Sequence, residues 1–221
     1  MTTVAEDLVL LLLDPESGRS VVDSMSLDLA IGGALLLDLS IRERVTADGE
    51  GATARLAVVD GAPTGDALLD DALARLAGTP VQAQKAVERL ARRTRGPVFD
   101  RLVERGLVRR DRSRLLGLLP VTIWPAADGG PAKELRGRVA AVLRDGAGPD
   151  RRLVLLISLL HAVKAEHKIV SGSRREVRAR ADEVAEGDWA GPAVRKAVRS
   201  VQIGVVVAVS AAAGAGSAGN S

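Results

Sequence analysis

Asp23-Ser-Met-Ser-Leu-Asp-Leu-Ala-Ile-Gly-Gly-Ala-Leu-Leu-Leu-Asp-Leu-Ser-Ile-Arg42 is the stretch on which the fold class turns. Leu27, Ile31, Ala34, Leu35 and Leu39 recur in it at helical spacing, which predicts a helix of roughly those bounds. Gly32-Gly33 falls inside this helix and in no P-loop or dinucleotide pattern, so it reads as a place of close helix packing.

Working outward, the pattern is helix after helix. Upstream, Thr3-Val-Ala-Glu6 fits a capping box ahead of the aliphatic run Leu8 to Leu13. No basic region precedes that run, so it reads as the buried part of a first helix rather than a signal peptide. This helix is expected to reach Asp14 and stop at Pro15-Glu-Ser-Gly18. Downstream, Val45 to Val59 alternates weakly around Asp48-Gly49 and reads as a small hairpin. Asp66 to Leu76 puts Leu68, Leu69, Ala72, Leu73 and Leu76 on one helical face. Thr79-Pro80-Val-Gln82 predicts a cap and a helix running to about Arg93. Pro97 opens a short helix closed by Gly106, and Leu107 to Ile123 reads as two strands around Asp111-Arg-Ser113. Pro131, Pro149 and Pro192 sit near further helix starts, and another helix spans about Ser173 to Glu186.

The C-terminal stretch from Ser200 carries no charged side chain and includes Ile203 to Val209. A tail anchor and a buried core helix both fit it. Dilution by Gly, Ala and Ser favours the core helix, since about 20 strongly apolar residues are needed to span a bilayer. The expectation is therefore a mainly α, single helical domain over residues 1–210 with one or two β-hairpins. A flexible Gly/Ala/Ser tail is expected over 211–221.

Apolar residues at 47% and charged residues at 27% allow a sizeable core and exclude a disordered chain. With no Cys, disulfides, thiolate catalysis and zinc–thiolate sites are excluded. One Phe, two Trp and no Tyr leave few platforms for stacking bases, which argues against nucleic acid as a partner. Asp70-Asp71 diverge by about 100° on a helix and read as a solvated face, not a catalytic pair. His161 and His167 lack the i, i+4 spacing of a helical metal pair, and His161 reads as a satisfied, partly buried histidine. No catalytic residue, metal ligand or cofactor is expected, and the protein is read as a non-enzyme.

The charge is uneven. The net is only +3, with a bias of 26 Arg over 5 Lys that looks like a GC-rich bacterial genome. Lys85 to Arg114 alone holds 11 basic and 4 acidic residues, which points to an anionic partner. Arg89, Arg92, Arg93 and Arg95 lie at a helix end and the turn after it, where cations also suit the helix dipole. Arg109, Arg110, Arg112 and Arg114 follow on a hairpin beside Leu115, Leu116 and Leu118. Two readings fit this hairpin. Its leucines insert shallowly into a membrane while arginines bind phosphate, or its leucines face the core and its arginines face water. Helix, Gly, strand, turn, strand is also the layout of a winged helix. Its recognition helix would turn Asp100, Arg101, Glu104 and Arg105 outward, and two acids there oppose groove insertion. A third alternative is a scaffold that self-associates through the leucine-rich hairpin.

Ala62-Pro-Thr-Gly-Asp66-Ala-Leu-Leu-Asp70-Asp-Ala-Leu73 resembles a signature of the Golgi phosphoprotein family. Gly33-Ala-Leu-Leu-Leu-Asp38-Leu-Ser-Ile-Arg42, Leu102-Val-Glu-Arg-Gly106 and Asp150-Arg-Arg-Leu153 leading to Leu160-His161-Ala162 resemble further family segments, in family order. The resemblance implies central helices ringed by amphipathic ones, a hairpin that enters the bilayer surface, and a peripheral membrane protein. The eukaryotic members bind phosphatidylinositol 4-phosphate. By resemblance two family head-group arginines fall on Arg92 and Arg95, with Arg89 and Arg93 assisting. A family Trp falls on Asp23 and a further head-group Arg on Gly32. What this implies here is a generic anionic-phospholipid surface at the cytoplasmic, inner face of a membrane, attached reversibly. Membrane-protein clients are the further implied partners.

Overall fold

The first two helices lock together through their ends. A computed structural model of the chain describes residues 2–49, 51–115, 119–127, 129–187 and 192–218. In α1, Val4–Leu12, the Thr3 hydroxyl accepts the Glu6 N–H at 3.2 Å and the Glu6 carboxylate accepts the Thr3 N–H at 2.7 Å. This reciprocal box satisfies amides that a helix start leaves open. The helix ends two residues short of Asp14, because Leu13 turns extended and bridges to Ser20. In α2, Ser24–Ile41, Asp23 caps the start by accepting the Met25 and Ser26 N–H groups at 3.0 and 2.9 Å. Asp38, near the far end of α2, accepts the Val4 N–H at 2.6 Å and so fixes the start of α1 against it.

Helices α1, α2 and α7 (Arg151–Ala162) form the centre, and every residue of α1 is buried. By length and mean hydropathy (1.5) α2 resembles a membrane span, yet 78% of it is buried inside the protein, as a core helix would be. Around this centre lie amphipathic helices: α3 (Ala67–Leu76), α4 (Ala83–Ala91), α5 (Arg95–Glu104), α6 (Gly129–Leu143), the short α8 (Glu166–Ile169) and α9 (Arg174–Glu186). The last helix, α10 (Pro192–Ala218), buries Val198, Val201, Val205 and Ala208 against α2, α4 and α7. It is the core helix expected from the sequence. Its backbone stays helical to Ala218, through most of the 211–221 stretch set apart as a tail.

The two glycines of α2 set the spacing. A Cβ on Gly32 would lie 2.6 Å from the Val87 carbonyl of α4, and one on Gly33 would lie 2.5 Å from a Val205 methyl of α10. Adjacent residues point about 100° apart, so each glycine admits a different neighbour.

Two small sheets complete the fold. β1 (Val45–Asp48) pairs antiparallel with β2 (Arg55–Val58), and β3 (Val81–Gln82) adds to β2 through Leu56↔Val81. Pro80 therefore does not open a helix: sheet pairing holds Val81-Gln82 extended, and α4 starts at Ala83 without a side-chain cap. β4 (Asp111–Leu115) pairs with β5 (Leu119–Ile123). Asp111-Arg-Ser113, read as the turn, instead lies within β4 opposite Ile123, Thr122 and Val121. Cross-strand pairing overrides the local turn preference of Asp and Ser.

Candidate functional site

The arginine turn is built from α3. Arg75, near the end of that helix, donates to the Arg92 carbonyl at 2.7 Å, to the Thr94 hydroxyl at 2.9 Å and also to the Arg89 carbonyl. These acceptors belong to the last turn of α4 and the residues after it, where helical carbonyls lack intrahelical partners. With its carbonyls so held, the chain reverses through Arg93 in the left-handed region, at φ 62°. Arg89, Arg92 and Arg93 are exposed, and Arg89 returns a bond to the Arg75 carbonyl at 3.3 Å. Sequence reading missed Arg75; its only local signal is the i, i+4 spacing to Asp71, 3.4 Å away.

Arg95 differs from its neighbours. Its Nε meets the Asp28 carboxylate at 2.6 Å and its terminal nitrogen donates to the Ser24 carbonyl. It therefore ties the start of α5 to the first turns of α2. Beside it, Met25, Asp28 and Leu29 of α2, Glu88, Ala91 and Arg92 of the α4 end, and Ala208, Ala211 and Ala212 of α10 enclose an open groove of about 320 Å³. Asp23 is occupied as the α2 cap, with Ser26 holding its carboxyl below the ordinary range. Gly32 lies where a family head-group arginine would fall, but α4 backbone closes that position to any side chain.

The hairpin is rooted on the same helix. Trp124, just after β5, packs on Phe99 of α5 with ring centroids 4.5 Å apart and the rings tilted by 41°, and its backbone N–H donates to the Gly18 carbonyl at 2.7 Å. Arg110 lies over the Trp124 ring at 4.9 Å and pairs with Asp100. Arg95 and Asp100 are separated by about 7.5 Å of helix rise, so the one helix α5 carries the arginine turn at its start and anchors the hairpin root along its length. Arg109 and Arg112 are exposed, with no side-chain partner among the described residues. Arg114 and Leu115 lie in β4 by backbone; their side chains, and Leu116 and Leu118 entirely, lie outside the described residues.

Arg101 of α5 and Arg105, just after it, are tied into the fold by carboxylates. Arg101 makes a two-pronged pair with Asp66 at 2.6 and 2.5 Å, and Arg105 meets buried Glu6 at 2.9 Å. Asp66 also caps α3 through the Leu68 N–H at 3.0 Å. Burial pushes its carboxyl up, but the Arg101 hydrogen bonds and charge, together with the Leu68 and Leu69 N–H groups, hold it below the ordinary range. Asp70 accepts both the N–H and the hydroxyl of Thr64, at 2.6 and 2.7 Å. The signature around Asp66 and Asp70 is thus a structural lock, and α5 presents no arginine-rich recognition face.

Elsewhere, His161 of α7 bonds Asp182 of α9 at 2.8 Å and lies 3.5 Å from Glu166 of α8. The Glu166 carboxylate, helped by Asp182, holds the imidazole proton above its ordinary range despite burial. Among the described residues no group of three His, Cys, Asp or Glu could hold a metal ion.

Buried apolar helices, a ring of amphipathic ones and a hairpin rooted beside an arginine turn define the class of fold. The chain belongs to the Golgi phosphoprotein 3 (GPP34) family, whose model matches residues 4–201.

Proposed function

We propose that this is a non-enzymatic peripheral membrane protein that docks reversibly on anionic phospholipid at the cytoplasmic face of a membrane. The observation that carries the reading is the set of exposed guanidinium groups on neighbouring elements. Arg89, Arg92 and Arg93 flank one end of α5, and Arg109 and Arg112 lie on the hairpin rooted against it. Arg92 contacts a head group with Arg89 and Arg93 assisting, while Arg95 positions the site through Asp28. Arg109, Arg110, Arg112 and Arg114 keep the hairpin near phosphate, and Leu115, Leu116 and Leu118 enter the acyl boundary. Family membership supports this reading, and from it comes the role of adaptor for membrane-protein clients.

Co-sedimentation with vesicles of graded phosphatidylglycerol content tests it. Binding should grow with anionic fraction and fall with salt. Removing two surface cations in Arg92→Gln/Arg93→Gly should weaken it on the order of 30-fold at low salt, at about 1 kcal/mol each. Leu116→Asp should weaken it independently. Binding that ignores both charge and salt, or retention by duplex DNA but not by vesicles, overturns the reading.

A further inference from the structure

We infer that the groove beside Arg92 receives the head group of a zwitterionic aminophospholipid, its phosphate on Arg92 and its ammonium between Asp28 and Glu88. This rests on the membrane-docking reading and names the lipid that the groove selects. Arg92 is exposed, and its guanidinium has no partner among the described residues. Asp28 gives one carboxylate oxygen to Arg95 at 2.6 Å, and Glu88 gives one to the Gln84 amide at 2.8 Å. Each keeps a second oxygen with no partner among the described residues.

The groove lining therefore presents one unspent cation and two half-engaged carboxylates: Glu88 and Arg92 stand one helical turn apart at the end of α4, and Asp28 faces the groove from α2. A head group bearing only negative charge would set its phosphates against Asp28 and Glu88. A neutral one would leave Arg92 unmatched. An ethanolamine phosphate carries both charges on a two-carbon bridge, and its ammonium offers three N–H donors to carboxylate oxygens. A choline head group has no N–H, and its quaternary ammonium is recognised by aromatic rings. The groove lining contains none. Leu29, Ala91 and Ala208 form an apolar floor for the glycerol end, and Met25, 55% exposed, stands at the lip.

The test uses the full chain and two vesicle series with the same phosphatidylglycerol fraction, one completed with phosphatidylcholine and one with phosphatidylethanolamine. The ethanolamine series should bind about fivefold more tightly, as expected for one solvent-accessible charged contact. Glu88→Gln should erase that gain while slightly strengthening phosphatidylglycerol-dependent binding, because it removes a negative charge from a cationic surface. Opposite signs in one variant separate the effect from misfolding. A titration with soluble glycerophosphoethanolamine, followed by NMR, should shift the Gln84, Glu88 and Arg92 amides where glycerophosphocholine does not. This arm removes any contribution from bilayer curvature.

Equal binding to both series, with charge-dependent binding retained, overturns the groove assignment and leaves the docking reading standing. Survival of the ethanolamine gain in Glu88→Gln also overturns it. Failure to bind any vesicle overturns both.

Discussion

Replacing Asp38 by asparagine should make the protein more stable above pH 6 and leave it unchanged in acid. The carboxyl is 1% exposed, and burial pushes it from 3.8 up to about 6, against the pull of the Val4 N–H, Arg152 and Arg42. The folded chain thus holds this proton more tightly than the unfolded chain. Between pH 3.8 and about 6 the native state binds more protons, so this group's contribution falls as pH rises and levels off above that window. The gap corresponds to about 3 kcal/mol. Asp38→Asn keeps an oxygen for the Val4 N–H and cannot ionise, so it should gain up to about 3 kcal/mol at neutral pH and nothing below the window. Urea unfolding of both chains across pH measures the difference, and other carboxylates cancel in it. A variant that is less stable at neutral pH, or a difference that does not vary with pH, refutes the reasoning. Asp38 would then act as an ionised partner of Arg152 and Arg42.

Arg101→Met strips Asp66 of both its charged bonds and removes from Glu6 a guanidinium 3.4 Å away, although Arg105 and Thr3 still hold that carboxylate; a loss of about 3 kcal/mol is expected in chemical denaturation. Gly32→Ala forces a methyl into the backbone of α4 and should cost about 1–3 kcal/mol, seen as a lower melting temperature. His161 is stabilising as the imidazolium, so its contribution is complete below 6.5 and fades as pH rises through its raised value. His161→Gln should therefore destabilise by about 1 kcal/mol in acid and less in alkali, measured by unfolding across that range.

The helical frame was legible because its signals are local. The Thr3–Glu6 box and the spacing of Leu27 to Leu39 each fix their element without reference to the rest of the chain. Errors arose where distant pairing decides. Val81-Gln82 is extended only because β2 lies beside it, and Asp111-Arg-Ser113 is strand only because β5 does. The arginines of the site were visible as a charge run, but their commitments were not. Nothing near Arg95 in sequence announces Asp28, and nothing near Arg101 announces Asp66. Each partner lies dozens of residues away, so which cations stay available is a property of the packing.

Arg75 sits in the helix opened by the family signature, yet it grips the chain around Arg89, Arg92 and Thr94. The part of the chain that makes its kinship recognisable therefore acts as a jig, setting the curvature of a surface it does not itself form. In the docking proposed above, lipid preference and pedigree belong to separate segments. A relative could retain the jig intact while exchanging a handful of groove side chains, and so serve a different membrane with the same chassis.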